Sequence, residues 1–280
     1  MTEKIAVITG ASSGIGMLTT VELARAGFHV VATMRDLNRA TRLDQLSAAA
    51  GVTERIEQRK LDITETFAIP HVVKDILRDH GRIDVLVNNA GFPMAGFAED
   101  IRLDELRQQF ETNFFGTIAM TQAVLPAMRA QNSGHIIMVS SVSGRVGQPV
   151  LSSYCASKFA LEGWSEALRV ETHSLGIRVV LIEPGSFKTD IWDRNVRIGE
   201  VAISKESPNR ERANRFAQFV KKTPKRDAIR VARLIARVAQ DPNPKLRYMI
   251  GFDAHVQRWL RTLMPWRRYE RFVARAVKID

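Results

Sequence analysis

Tyr154 and Lys158 stand four residues apart in the run Tyr154-Cys155-Ala156-Ser157-Lys158. On a helix that spacing puts both side chains on one face, about one turn apart. A free phenol titrates near pH ~10 and is a poor acid or base at neutral pH. A neighbouring ammonium favours the phenolate and draws its pKa toward the working range. The pair is therefore a candidate proton-transfer device. Ser141, after an apolar run upstream, is a candidate partner for the same oxygen chemistry. Asn113 falls inside a long helical pattern, where its middling propensity gives it no evident reason to be.

Holding these groups together needs a scaffold, and the chain spells one out. Apolar, β-rich runs at 4–9, 29–34, 55–62, 83–87, 134–140, 177–183 and 246–250 predict seven strands. Helical patterns separate them at 37–50, 67–80, 103–131 (interrupted at Pro126), 152–174 and 225–240. Strands alternating with crossovers of helix length mean a parallel sheet covered on both faces. The predicted class is α/β, a Rossmann-type doubly wound parallel sheet of about seven strands in three layers. Residues 1–252 read as one catalytic domain, with 190–222 as a long substrate loop.

The first strand runs into Thr9-Gly10-Ala11-Ser12-Ser13-Gly14-Ile15-Gly16 and then a helix. A strand, a glycine turn and a helix start form an anion site, because bare backbone N–H groups meet a pyrophosphate there. The second strand ends at Met34, which cannot bind a ribose hydroxyl, and Arg35 follows, suited to a 2′-phosphate. That predicts NADP(H) over NAD. Asp62 ends the third strand, placed for an adenine amino group. Asn88-Asn89-Ala90-Gly91 ends the fourth, on the sheet edge where open α/β folds bind ligands.

Composition closes other routes. Apolar residues at 45% and charged residues at 25% fit a globular chain. No apolar run approaches the ~18 residues of a membrane span, and the N-terminal apolar run is too short for a signal peptide, so a cytoplasmic protein is expected. One cysteine, Cys155, excludes an intrachain disulfide. The six histidines are scattered without ligand spacing, and no metal is expected. Of the 41 Lys/Arg and 30 Asp/Glu, residues 204–280 hold 20 and 7, so the basic excess lies apart from the chemistry. No helix-turn-helix, zinc-finger or RNA-binding signature accompanies it, so no nucleic acid is expected. The extension 253–280 is helical in pattern, with Val256, Trp259, Leu260 and Leu263, then Trp266, Tyr269, Phe272, Val273 and Ala276, among six arginines. Packing on its own domain is the ordinary fate of such a stripe. The second reading is peripheral contact with an anionic membrane.

In order along residues 4–190, the glycine turn, Asn88-Asn-Ala-Gly91, Asn113, Ser141, Tyr154-x-x-x-Lys158 and Pro184-Gly185 with Thr189 resemble the short-chain dehydrogenase/reductase family. Val31-Ala-Thr-Met-Arg-Asp-Leu37 is similar to its steroid- and retinol-active, NADP-preferring members. The resemblance implies hydride exchange between NADP(H) and a small-molecule carbonyl or secondary alcohol. It gives Tyr154 the substrate proton, Lys158 the phenol's pKa and the nicotinamide ribose, Ser141 the reacting oxygen, and Asn113 a water leading from Lys158 to solvent. Cofactor contacts fall to Gly10, Ser12, Ser13, Gly14, Ile15, Gly16, Arg35, Asp62, Ile63, Asn89, Ala90, Gly91, Tyr154, Lys158, Pro184, Gly185, Phe187 and Thr189. Many NADP-preferring members carry Lys or Arg where this chain has Ser13, so the preference rests on Arg35. A homodimer or homotetramer through 103–131 and 152–174 is implied as well. Phe92, Met94, Val142, Val146, Leu151, Phe187 and Trp192 outline an expected apolar pocket for a steroid, retinoid or fatty carbonyl. The rival reading, a catalytically idle NADP-binding sensor or scaffold, has no use for an acid/base pair.

Overall fold

A computed structural model describes residues 3–189 and 195–279. Trp192 lies outside them. Seven strands form one parallel sheet: β1 (Ile5–Thr9), β2 (His29–Met34), β3 (Ile56–Lys60), β4 (Val85–Asn88), β5 (Gly134–Val139), β6 (Ile177–Pro184) and β7 (Arg247–Ile250). Their spatial order is β7-β6-β5-β4-β1-β2-β3, which reverses direction between β1 and β4. The crevice at that reversal is where such sheets bind ligands, because flanking crossovers diverge there. β1 and β4 are wholly buried and mainly apolar, as central strands are when helices cover both faces. The edge strand β3 instead carries Glu57, Gln58, Arg59 and Lys60, which blunt a free edge.

The helices are α1 (Gly14–Arg25), α2 (Thr41–Ala50), α3 (Ile69–His80), α4 (Leu103–Phe110), α5 (Gly116–Gln131), α6 (Ser152–Glu171), α7 (Arg210–Lys222), α8 (Ile229–Val238), α9 (Phe252–Leu263) and α10 (Trp266–Val277). One core gathers the α1 and α8 side around Ile8, Leu23, Val30, Val87 and Ile235. The other gathers α3, α5 and α6 around Val7, Ile76, Leu86, Met120 and Leu161.

One expectation is corrected. The helix does not break at Pro126; that residue is exposed within α5, so water can satisfy the carbonyl its missing N–H leaves behind. The irregularity falls earlier, at Glu111–Phe115, which forms a π turn joining α4 to α5 with Asn113 at its centre. Within 190–222 the described residues include short strand Arg197–Ile198, which pairs with Met94–Ala95, and helix α7.

The C-terminal helices divide their apolar side chains. Ala254, Leu260, Met264, Tyr269 and Val273 pack against Val142 and Val146, and Val277 packs with Val150 and Phe216 of α7. Trp259, Leu263, Trp266 and Phe272 stay on the surface.

Candidate active site

At the sheet reversal, the turn after β1 and the turn after β4 are stitched together. The Thr9 hydroxyl accepts from the backbone N–H of Asn89 at 3.0 Å and of Ala90 at 3.1 Å. The Asn89 amide donates to the carbonyls of Thr9 at 2.9 Å and Gly10 at 3.1 Å. Gly10 holds φ +70°, and a Cβ there would come within 2.9 Å of the Ala90 Cα. A larger residue would part the two turns.

A cleft of about 670 Å³ opens above this seam. One end is lined by Ser12, Ser13, Gly14 and Ile15 at the start of α1, by Met34, Arg35 and Arg39 after β2, and by Asp62 and Ile63 after β3. The other end is lined by Ser140, Ser141, Tyr154, Lys158, Pro184, Gly185, Phe187 and Thr189, with Gly10, Asn89, Ala90 and Gly91 between. Nearly every residue expected to meet a cofactor thus faces one cavity. Gly16 does not line it. Its place is structural, since a Cβ there would run into the Asn89 amide and the Gly10 carbonyl.

The Ser141 hydroxyl lies close enough to the Tyr154 phenol to favour its ionised form. Both sit where local structure holds them still. Ser141 caps a 3₁₀ turn by accepting from the Ser143 N–H at 3.1 Å. Tyr154 lies in the first turn of α6, 5% exposed. Val150, just before that helix, has φ +66°, rare for a β-branched residue. A bond from the Gly96 N–H to its carbonyl at 2.8 Å and packing against Phe216 and Val277 hold it there.

The electrostatics depart from the expected pairing. Burial pushes the Tyr154 phenol up to about 12, and the neighbouring Ser141 hydroxyl works against that rise. Burial pulls the Lys158 ammonium down to about 8, opposed by the Glu162 charge. The ammonium donates to the Val139 carbonyl at 2.8 Å and lies 5.9 Å from the centre of the Tyr154 ring. Desolvation therefore outweighs the expected pull of lysine on the phenol.

Asn113 is also placed differently. It is 1% exposed and does not line the cleft. Its amide donates to the Phe92 carbonyl at 3.0 Å and the Ser157 hydroxyl at 3.1 Å, and its oxygen accepts from the Phe92 N–H at 3.0 Å. The side chain ties the strand-end turn to α6 and has no donor left for a water.

The expected apolar pocket is only partly present. Phe92 and Phe187 line the cleft. Val142 and Val146 are buried under the C-terminal helices, and Met94 and Leu151 are buried elsewhere without reaching the cavity. The cleft instead gains Thr112, Asn195, Val196 and Arg197, whose guanidinium stacks 4.3 Å from the Phe92 ring centre. Arg39 was also missed. Its signal is a second arginine four residues after Arg35, in the short turn Leu37–Arg39. Thr189 Oγ1 and Ser140 Oγ, both buried, have no hydrogen-bond partner among the described residues.

Histidine spacing predicted no metal site, yet folding brings His29, Glu57 and His80 together, their ligand atoms within 4.8 Å of one another. This cluster is at the opposite end of β2 from Arg35. Glu57 there already accepts from His80 at 2.9 Å and from Arg59, which also pairs with Asp79 at 2.7 Å. Burial raises the Glu57 carboxyl, but those hydrogen bonds prevail and hold it below the usual range. The cluster is an ion-pair knot joining β2, β3 and α3.

Comparison with known proteins matches this geometry. The family model for short chain dehydrogenases matches residues 4–197. The YusZ oxidoreductase of Bacillus subtilis is 42% identical, over 96% of this chain and 97% of that protein. A 3-ketodihydrosphingosine reductase of Bacteroides thetaiotaomicron is 35% identical, over 90% and 89%. Human retinol dehydrogenase 8 is 38% identical over 67% of this chain and 60% of its own. Among solved structures, a short-chain dehydrogenase from Streptomyces avermitilis superposes with a TM-score of 0.81 at 33% identity, covering 97% of this chain and 98% of that one. A metagenomic short-chain oxidoreductase in complex with NADP (TM-score 0.69, 27% identity, 89% and 96% coverage) and a Burkholderia phymatum enzyme in complex with NAD (0.81, 25%, 93% and 93%) share the fold. The seven-stranded sheet, the stitched turns and the Ser141–Tyr154–Lys158 corner, together with these matches, make the chain an oxidoreductase of the short-chain dehydrogenase/reductase family.

Proposed function

We propose that the protein exchanges a hydride between NADP(H) and a carbonyl/secondary alcohol pair on a largely apolar substrate. The observation that carries this reading is the meeting of Ser141, Tyr154 and Lys158 at one end of a cleft whose other end holds Arg35 and Arg39. The residues present suit a nicotinamide dinucleotide. The unpartnered Thr189 Oγ1 is a hydroxyl awaiting a polar ligand atom, and the glycine turn is a cradle that side chains would fill. Ser12, Ser13, Gly14 and Ile15 would hold the pyrophosphate, Arg35 and Arg39 the 2′-phosphate, and Asp62 and Ile63 the adenine. Asn89, Ala90, Gly91, Pro184, Gly185, Phe187 and Thr189 would flank the nicotinamide half. When bound, that group supplies the hydride.

The chain's own part is the proton. A phenol held near 12 is fully protonated at neutral pH and is ready to give its proton to an oxygen gaining negative charge. Ser141 supplies a second donor to the same oxygen. Lys158, whose ammonium lies 5.9 Å from the Tyr154 ring centre, offsets the phenolate left behind. With the Asn113 amide spent, any water leading from Lys158 is anchored by main-chain groups of the π turn, whose ladder is locally interrupted. An idle binder would have no use for this corner.

Apolar substrate is supported by Phe92 and Phe187 in the cleft and by the names of the sphingosine-type and retinol relatives. Exposed Phe115, at the end of the π turn before α5, and exposed Phe159 and Val170 on α6 support a dimer there. No helix among the described residues is long and apolar enough to cross a membrane. The test is NADPH oxidation screened over long-chain oxo-acyl, retinoid, steroid and simple aldehyde substrates, with wild type and Tyr154→Phe. Turnover lost at least ~100-fold in the variant is expected. Turnover that survives it, or none with any carbonyl class, refutes the proposal.

A further inference from the structure

Helix α9 has two apolar faces, and only one is used. Its inner row, with Ala254 and Leu260, packs on the segment that follows Ser141. Its outer row is Phe252, Trp259 and Leu263, spaced seven and four residues apart and so on one side of the helix. Trp266, just past the Pro265 bend, extends the apolar surface. These four side chains are 68%, 66%, 58% and 57% exposed. Folding has ample core in which to bury such groups, and a cluster of this kind on one hairpin marks a contact surface.

Charge selects the partner. Residues 253–280 carry seven Lys/Arg against three Asp/Glu. Arg267, Arg268, Arg271 and Arg275, on the helix after the bend, are all exposed, and Arg261 stacks 4.6 Å from the Trp266 ring centre. Tryptophan with arginine beside it, on helices too short and too polar to span, suits the boundary between headgroups and acyl chains. A second copy of this chain suits the surface poorly, because a twofold contact would set arginine against arginine.

We propose that the α9–α10 hairpin docks on an anionic lipid bilayer, with Phe252, Trp259, Leu263 and Trp266 entering the acyl boundary and the arginines on the phosphates. The hairpin is fastened to the active site. The Asp253 carboxylate accepts from the Ser186 N–H at 2.6 Å, and Gln148 donates to Gln257 at 2.6 Å. Docking would thus fix the cleft's orientation to the bilayer. This inference stands apart from the proposed reaction, since its readouts need no turnover.

The experiment is flotation of the full-length protein with vesicles of phosphatidylcholine alone or mixed with phosphatidylglycerol, together with tryptophan emission and quenching by brominated acyl chains. Wild type is expected to float with the anionic vesicles, with blue-shifted, bromine-quenched emission. Trp259→Ser/Leu263→Ser/Trp266→Ser and Arg267→Gln/Arg268→Gln/Arg271→Gln should each weaken partition at least tenfold, with nucleotide affinity and far-ultraviolet dichroism unchanged. Wild type that stays with the buffer, or that binds with no bromine quenching, overturns the proposal without reference to any variant. So does partition that survives both triple variants. A triple serine variant that instead changes oligomer size on light scattering assigns the face to a second copy and also overturns it.

Discussion

The Asn195 amide donates to the Ser13 hydroxyl at 3.3 Å, joining the substrate-loop side of the cleft to the glycine turn. Both residues line the cavity, so the bond bridges its mouth above the position proposed for the pyrophosphate. A neutral hydrogen bond is worth about 1 kcal/mol net. Asn195→Ala should therefore release nucleotide about fivefold faster in stopped-flow fluorescence of bound NADPH. An unchanged rate would show that the bond does not gate exchange.

Ser141→Ala removes the one group that opposes the rise of the Tyr154 phenol and also a donor to the reacting oxygen. Loss of about 10²–10³ in kcat, with a much smaller change in KM, is the expected pattern. Lys158, near 8, should place a limb at that pH in the rate profile. In Lys158→Arg, which stays charged, the residual activity should lack that limb.

Arg35 and Arg39 both line the end of the cleft assigned to the ribose phosphate. A charged hydrogen bond contributes about 1.5–3 kcal/mol. Arg35→Ala should lower the NADPH-to-NADH affinity ratio roughly 10- to 100-fold by titration calorimetry, Arg39→Ala should lower it less, and the pair together most. A ratio unmoved by the double substitution would leave both arginines without a role in selection.

Glu183, 1% exposed, is raised to about 7 by burial and by the Glu162 charge, against the pull of Arg145 and Arg247. Between its unfolded value, near 4.5, and about 7 the folded chain holds a proton that the unfolded chain has released. Stability from this group is therefore fully present below about 4.5 and is lost as pH rises through about 7. Melting temperature should fall between pH 5.5 and 8 more steeply in wild type than in Glu183→Gln. Equal slopes would contradict the assignment.

Much of this architecture could be read from residues alone, because the sheet's buried strands are near-continuous apolar runs bounded by turn residues. Runs such as Ile5–Thr9 and His29–Met34 leave little choice of period. The glycine turn and the Tyr154/Lys158 spacing are local, so their sequence and their geometry coincide. What stayed hidden depended on distant partners. Val142 and Val146 look like pocket wall in sequence, and only the arrival of Tyr269 makes them core. The Asn113 amide is spent on Phe92 and Ser157, which its own helix does not announce. The phenol's shift depends on how completely neighbours exclude water, and spacing carries no record of that.

The π turn at Glu111–Phe115 winds one residue more than a regular helix would between Leu103 and Gln131. Deleting one position there would restore ordinary winding, keep the residues beyond it in register and remove the bulge that carries Asn113. The Asn113 ties to Phe92 and Ser157 would be lost with the bulge, while the outer surface of α5 kept its register. Shortening this stretch by one letter would thus spare the helix and untie the turn it serves.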